Sequence, residues 1–202
     1  MIIAGSDVNG MIEMDNKRAL TELIGSLAVV YFAVSGGAMA TGLVLAIFMI
    51  AMGGTILPMF TLAKMASGRD EIEEGALDFL MQILGGVLAY SFVWWQTTAT
   101  GDMTWSGVAE LGPNTAVASL FAGFLMMMVY DRRGGGWEVG ILAWMVALGG
   151  ATISGAGDVG GMLVDSAWDG ANILGVFGGM VCAGLGAYLA IMFGENVLGE
   201  EE

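Results

Sequence analysis

The basic residues of this chain are confined to three short segments, and this distribution constrains the fold more than any other feature. The six Lys and Arg residues fall in the groups Lys17–Arg18, Lys64–Arg69 and Arg132–Arg133, and 56% of the chain is hydrophobic. In multi-spanning membrane proteins, short loops that carry Lys and Arg stay on the cytoplasmic side. The pattern therefore predicts a multi-pass, all-α integral protein of the cell membrane, with both termini cytoplasmic.

The apolar stretches between these groups are suited to membrane-spanning helices, which need roughly 20 mostly apolar residues. Six such stretches are predicted, at about 19–35, 39–52, 75–95, 115–130, 137–150 and 171–193, with a very short turn at Gly36–Gly37 between the first two. Two further apolar segments, 53–69 and 153–165, are too short to cross, and each precedes a full span. Because Pro58 can occupy the first turn of a helix without losing a backbone hydrogen bond, the first of these segments is interpreted as a re-entrant half-helix.

The order of long and short segments divides the chain into two similar units, at about 17–96 and 112–193, within a single membrane domain that covers residues 1–202. Each unit contains three spans, so the two units have opposite orientations in the membrane. Inverted repeats with interrupted helices in corresponding positions indicate a pathway near the membrane midplane. Irregular backbone at that depth must lie inside protein or beside a water-filled cavity. The architecture predicts a pore or a former pore.

Composition argues against several classes of function. The net charge of −14 leaves no basic patch for nucleic acid. The chain has no His, which removes the commonest metal ligand and general base, and its single Cys182 is more typical of a small buried apolar residue. We therefore expect no cofactor, no metal and no enzymatic activity. The acidic ends of the chain are interpreted as solvated tails or as an adaptation to salt.

Four short motifs follow one another in an order that has a parallel in a known family. Residues 21–25 (Thr-Glu-Leu-Ile-Gly) are similar to an opening Ala-Glu-Phe-Ile-Gly, and residues 54–69 to Gly-x-His-x-Asn-Pro-Ala-Val-Thr-Leu followed by Gly-Arg. Residues 83–89 (Ile-Leu-Gly-Gly-Val-Leu-Ala) resemble a third-span motif, and Ser154-Gly155-Ala156 a Thr-Gly lead into a second re-entrant segment. Over nearly its whole length the chain resembles the major intrinsic protein family, the aquaporins and glycerol channels.

The resemblance places that family's two Asn-Pro-Ala boxes on residues 57–59 and 159–161. In the family each Asn caps a half-helix and donates its amide N–H to the permeant, while the two helix dipoles repel cations. Here the boxes consist of Leu57, Pro58 and Met59, and of Val159, Gly160 and Gly161. Both amides are therefore absent. Asp158 either caps the second half-helix in place of Asn or is an acid of the outer loop.

The resemblance also implies a selectivity filter and a structural carboxylate. Its filter positions fall on Met39, Ala147, Ala156 and Met162, with Met162 where the family has Arg. These residues predict a wide, apolar constriction, and apolar constrictions can dewet and block water. In the family the residue matching Glu22 braces a re-entrant loop by accepting backbone N–H groups, although an intramembrane acid also fits a proton relay.

Two functions fit this reading of the sequence. The first is a passive transmembrane channel for small uncharged solutes, such as water or glycerol, with an atypical apolar pore. The alternative is a structural membrane protein of aquaporin fold whose pore is occluded, in which Leu57, Met59, Val159 and Met162 are core residues.

Other membrane classes fit less well. A formate/nitrite-type channel would need a central His, an enzyme would need a nucleophile and a base, and a secondary transporter would need more polar groups within its spans. An ion channel would need a ring of charge or a carbonyl-rich filter. The family resemblance further implies a homotetramer in the lipid bilayer, with one pore per subunit.

Overall fold

The computed structural model describes residues 7–97, 105–148, 155–194 and 196, and the regular structure in these ranges is helical. The elements are α1 (Asp7–Met52), α2 (Pro58–Ser67), α3 (Ile72–Thr97), α4 (Pro113–Arg133), α5 (Gly136–Leu148), α6 (Ala156–Val164), α7 (Gly170–Ile173), a π-helical turn (Leu174–Gly178) and α8 (Gly179–Phe193). The last three elements join without a break, because the residues at both junctions keep α-helical backbone angles.

Four helical stretches are long and apolar enough to cross a membrane. They are Asn16–Met52, Ile72–Thr97, Pro113–Arg132 and Gly170–Phe193, and Gly136–Ala147 is a shorter apolar helix. Much of their surface carries large exposed apolar side chains, as expected for helices whose outer faces meet lipid rather than water. The chain therefore has the architecture of a multi-pass membrane protein.

The first of these stretches reverses direction at Gly37. The backbone there has φ 76° and ψ −177°, angles that lie outside the helical region and that glycine adopts without a steric penalty. A straight helix would carry the chain about 45 Å from Glu22 to the end of α1. Instead, Glu22 Oε1 accepts a hydrogen bond from Thr55 N at 2.7 Å. Residues 16–36 and 38–52 are therefore two antiparallel arms, joined where the sequence predicts a very short turn.

The helices of the two halves pack in the same pattern. Helix α1 packs on α3, and α4 packs on α8. Each of the two short helices packs on a long helix of the other half, α2 on α8 and α6 on α3. A Cβ at Gly85 would overlap the Leu23 carbonyl, and a Cβ at Gly186 would overlap the Leu120 carbonyl. These small residues let the backbones approach closely, as is usual between membrane helices.

The three basic segments meet at one end of the bundle, called the basic end below. Arg18 Nη2 lies 2.9 Å from Asp70 Oδ2, and the neighbouring Arg69 forms an ion pair with Asp131, which precedes Arg132. Charges that the sequence separates by many residues are thus brought to one level of the bundle. Since α3 starts at this end and runs for 26 residues, the segment from residue 105 to α4 lies at the opposite end.

Candidate functional site

Helix α2 begins where the resemblance places the first box. Leu57 is the extended residue before the helix, Pro58 occupies its first turn, and no side chain caps the N-terminus. The helix ends at Gly68, which adopts the left-handed conformation with φ 73°. Leu57 and Pro58 thus form the start of a short helix, and Met59 follows inside it.

A buried carboxylate holds the chain that leads into α2. Glu22 is 2% exposed; its Oε1 accepts from Thr55 N at 2.7 Å and its Oε2 from Ile56 N at 2.6 Å. Gln82 Nε2 donates to Glu22 Oε2 at 2.7 Å and to Thr61 Oγ1 at 2.8 Å. Hydrogen bonds to an ionised acceptor are roughly twice as strong as neutral ones. The carboxylate therefore ties two other helices to the start of α2.

The same segment contains a strained residue. Ile56 has φ 63°, a backbone angle that is a genuine outlier for a β-branched side chain and costs of order 1–3 kcal/mol. Its N–H is one of the two that Glu22 accepts, and its side chain is 1% exposed. The hydrogen bonds from Glu22 and the surrounding packing keep the backbone in this conformation.

Helix α6 begins one turn earlier than the resemblance implies. Its first residue is Ala156, and Gly155 before it is extended. Asp158 Oδ2 accepts from Gly155 N at 2.9 Å, which is the carboxylate half of a capping box. Residues 159–161 therefore lie in the second turn of α6, and not at its N-terminus as residues 57 and 58 do in α2.

The physical reason for this difference lies in the local sequence. Neither Asn nor Pro stands at Val159 or Gly160, so the helix has no start signal there, whereas Asp158 three residues after Gly155 supplies one. The carboxylate also complements the positive end of the helix dipole. Asp158 thus acts from within the first turn, in contrast to an Asn placed before the helix.

The proposed filter residues lie in two different environments. Ala156 is buried against α3, and Met162 is 0% exposed within a cluster that contains Val176 and Met180. Met39 is 57% exposed and lies beside α5 in a shallow cavity of about 20 Å³, roughly the room of one water molecule. Ala147 is also exposed, near the end of α5.

A large apolar cluster fills the bundle around α2. Its buried members come from both arms of α1, from α2, α4, α5 and α8. Phe60 and Met127 are 0% exposed, and Met59 is 2% exposed. Tyr130 stacks on Phe60 with ring centroids 5.1 Å apart, and Lys64 Nζ lies 5.3 Å from the centroid of the Tyr130 ring. On the side of α2, the centre of the bundle is packed with apolar side chains.

Two participating residues were missed by the sequence analysis. Gln82 was passed over as part of a span, although a polar residue inside an apolar helix is a signal of function or structure in a membrane. Its Oε1 is buried without a partner among the described residues. Trp105 packs on α6, and nothing in the local sequence signals that contact.

Within the described part of the chain, no three His, Cys, Asp or Glu side chains are grouped as metal ligands would be. The fold is similar to that of the aquaglyceroporin from Plasmodium falciparum, with a TM-score of 0.74 and 12% sequence identity. That alignment covers 91% of this chain and 97% of the other. No protein-family model matches the chain, and no curated protein matches its sequence. At such low identity the likeness establishes a shared fold.

Proposed function

We propose that this protein is a passive channel for small uncharged solutes, such as water or glycerol, built as a single aquaporin-like domain over residues 1–202. The observation that carries the proposal is the fold likeness to an aquaglyceroporin over 91% of the chain. The family resemblance found in the sequence points the same way. No catalytic role is proposed.

The proposed topology has six spanning helices and two re-entrant half-helices. The two arms of α1, then α3, α4, α5 and the helix Gly170–Phe193, are the six spans, and α2 and α6 are the half-helices. The basic end is cytoplasmic in this arrangement, as loops with Lys and Arg usually are, and both termini lie on that side. The repeats are residues 17–96 and 112–193. Each half-helix packs on a long helix of the other half, α2 on α8 and α6 on α3, and this packing supports the inverted arrangement.

The proposed pathway is apolar. The family resemblance assigns its lining to Leu57, Pro58 and Met59 of the first half-helix and to Val159, Gly160 and Gly161 of the second, of which Gly161 lies on the face of α6 that no helix covers. The family resemblance assigns the outer filter to Met39, Ala147, Ala156 and Met162, of which Ala156 and Met162 face packed side chains rather than open space. Since none of these side chains donates a hydrogen bond, water entering the pathway loses hydrogen bonds without replacement, and narrow apolar constrictions dewet for this reason.

In the proposal Glu22 and Asp158 have structural roles, Glu22 bracing the first half-helix and Asp158 capping the second. The family resemblance also implies a homotetramer in the bilayer. Chemical crosslinking in native membranes tests this assembly, and a ladder that ends at the dimer or continues beyond the tetramer would contradict it.

A second function is favoured by one observation. The apolar cluster that includes Phe60 and Met127 is closed to solvent, which is what an occluded, structural protein of this fold would show. The two functions differ in whether solute crosses the protein. The alternative predicts no flux and a core whose apolar side chains serve packing alone.

Stopped-flow light scattering on proteoliposomes separates the two. The channel predicts re-swelling in glycerol faster than in protein-free vesicles, with shrinkage in sucrose close to the rate of empty vesicles. Met127→Ala removes a buried side chain from the cluster, and we expect glycerol flux to rise in this variant. Met145→Ala is the matched control, because Met145 is 60% exposed. Absence of flux in the native protein and in both variants would favour the structural function.

A further inference from the structure

We propose that Trp105 forms the outer constriction of the solute pathway, at the position where the sequence match placed Met162. This inference rests on the proposed function, because it names a residue of the same channel. Trp105 precedes α4 by a few residues and lies at the end of the bundle opposite the basic end.

Three sides of α6 are covered by other helices. Ala156 and Gly160 lie against α3, where a Cβ at Gly160 would be 2.8 Å from the Gly86 carbonyl oxygen. Gly157 faces Val30 of α1. Val159 and Met162 pack in a cluster with Val176 and Met180 of the last helix. These contacts bury three sides of α6 and leave one face on which no other helix packs.

The remaining face carries Asp158, Gly161 and Asp165, at positions i, i+3 and i+7, which align on one side of a helix. The described contacts on this face come from Trp105. A Cβ at Gly161 would be 2.8 Å from Trp105 Nε1 and would overlap Cδ1. The backbone N–H of Trp105 donates to Asp165, and its side chain packs against the apolar cluster that contains Val159 and Met162.

These three contacts fix the indole. The ring lies directly on the Gly161 backbone, an approach that the glycine permits and that any larger residue would block. Trp105 therefore covers the free face of α6 with an apolar aromatic surface.

The segment that carries Trp105 is held at further points. Val108 fits against Gly175 and Leu111 against Gly178, where added Cβ atoms would overlap the two side chains. At its far end Thr115 Oγ1 donates to the Glu110 carbonyl oxygen at 2.8 Å. The indole is thus positioned by a segment docked on both α6 and the last helix.

This placement explains why Met162 does not fit the filter role. Its side chain is directed into the cluster between α3, α6 and the last helix, and it is 0% exposed. The face beside it, which carries Gly161 and Asp165, is where a solute would pass the half-helix in the proposed channel. There the surface that a solute would meet is the indole of Trp105.

Three variants test the inference by glycerol re-swelling of proteoliposomes. Trp105→Ala removes the indole, and we expect about a tenfold rise in the rate, the effect of lowering a barrier by 1.4 kcal/mol. Gly161→Ala displaces the indole and should raise the rate less. Trp105→Phe keeps one aromatic ring but loses the larger indole, so it should raise the rate less than Trp105→Ala does. Trp168→Ala is the matched control, because Trp168 is half exposed in the loop between α6 and α7.

A second measurement reports the contact without reference to flux. Protein labelled with 5-fluorotryptophan gives ¹⁹F resonances, and Trp105→Phe identifies the one that belongs to Trp105. Gly161→Ala should shift that resonance strongly and leave the Trp168 resonance in place. An unshifted Trp105 resonance would overturn the contact itself.

The outcomes separate the two proposals. A conducting native protein whose rate Trp105→Ala leaves unchanged overturns the constriction and leaves the channel function standing. A closed native protein that conducts once Trp105 is replaced supports the constriction and shows that the indole alone closes the pathway. If the native protein and every variant remain impermeable to water and glycerol while the resonance shifts as expected, the channel function and the constriction both fail, and Trp105 is a packing residue.

Discussion

The two short helices occupy corresponding positions in the two halves, but they are held by contacts of very different range. The chain before α2 is held by Glu22, 33 and 34 residues away from its partners Thr55 and Ile56. The N-terminus of α6 is held by Asp158, only three residues from Gly155. The first helix depends on a neighbouring helix for its start, whereas the second carries its own cap.

The backbone explains why one helix needs a brace and the other does not. Ile56 is forced to positive φ just before α2, and such strain persists only where the surroundings enforce it. Gly155, with φ −149°, is in extended backbone that any residue can adopt. A local cap is sufficient for a relaxed helix start, but a strained start requires hydrogen bonds from a rigid element outside it.

In the second half, the two described positions that match Glu22 and Gln82 cannot form a similar brace. The close contacts of Gly85 with the Leu23 carbonyl and of Gly186 with the Leu120 carbonyl correspond between the halves. Counting from these contacts sets Ser119 in the position of Glu22, and Ala183 in the position of Gln82. A serine and an alanine offer no carboxylate and no amide, so these two positions cannot repeat the hydrogen bonds of Glu22 and Gln82.

Removing the brace should have the largest effect of any substitution considered. Glu22→Ala leaves the N–H groups of Thr55 and Ile56 without their acceptor and removes one acceptor of the Gln82 amide, and we expect a loss of about 3–5 kcal/mol. For a chain of this size that is a fall in Tm of roughly 10 °C. Asp158→Ala, which removes the local cap, should cost only about 1 kcal/mol. Thermal unfolding in detergent measures both.

Glu22→Gln is the informative intermediate for this comparison. Glutamine keeps one acceptor oxygen but brings an NH₂ group toward the backbone N–H donors. The Glu22→Gln variant should therefore lose stability relative to the native protein, but less than Glu22→Ala does. Equal losses for Glu22→Ala and Asp158→Ala would show that the two short helices depend on their caps to the same degree, and the comparison drawn here would be wrong.

Particular residues show what the sequence could and could not predict. The apolar lengths and the basic segments predicted the long helices, and Gly36–Gly37 marked the reversal, because these features depend on local composition. The start of α6 lies one turn before residues 159–161, because Asp158, which the sequence left as either a cap or a loop acid, caps the helix from within its first turn. Gln82 and Trp105 were missed, since their partners lie about 60 residues away and periodicity carries no information on contacts of that range.

Long-range charge pairing in the first half is also expected to matter at the basic end. Arg18 binds three carboxylates of α3 and the turn before it, at 2.9 Å from Asp70, 2.7 Å from Glu74 and 2.6 Å from Asp78. Asp78 is only 3% exposed in its side chain. Removing the guanidinium would leave a buried carboxylate unpaired, which is costly even where the pair itself contributes little.

We therefore expect Arg18→Ala to lower stability by about 2 kcal/mol, less than for a fully buried pair because the Arg18 side chain is 36% exposed. Arg18→Lys keeps the charge but not the planar fork that reaches several carboxylates at once, so it should recover only part of the loss. Thermal unfolding at low and high salt checks this. If Arg18→Lys equals the native protein, then charge alone, and not the geometry of the guanidinium, holds α3 to α1.

The smallest effect is expected where the second half again uses a local cap, at the start of α7. Asp169 accepts from the N–H groups of Ala171 and Asn172, both at 3.0 Å, and these hydrogen bonds, led by the one from Asn172, lower the pKa of its carboxyl. A lowered folded-state pKa contributes stability above the unfolded pKa, and this contribution is lost as the pH falls through the folded value.

Asp169→Asn keeps a capping oxygen without the charge. The Tm of the native protein should therefore exceed that of Asp169→Asn slightly at about pH 6, and the difference should vanish toward about pH 2. A difference in Tm as large as that expected for Glu22→Ala, or one that does not change with pH, would contradict this prediction. The second half would then also depend on strong long-range electrostatic interactions, and the distinction between the two halves would be lost.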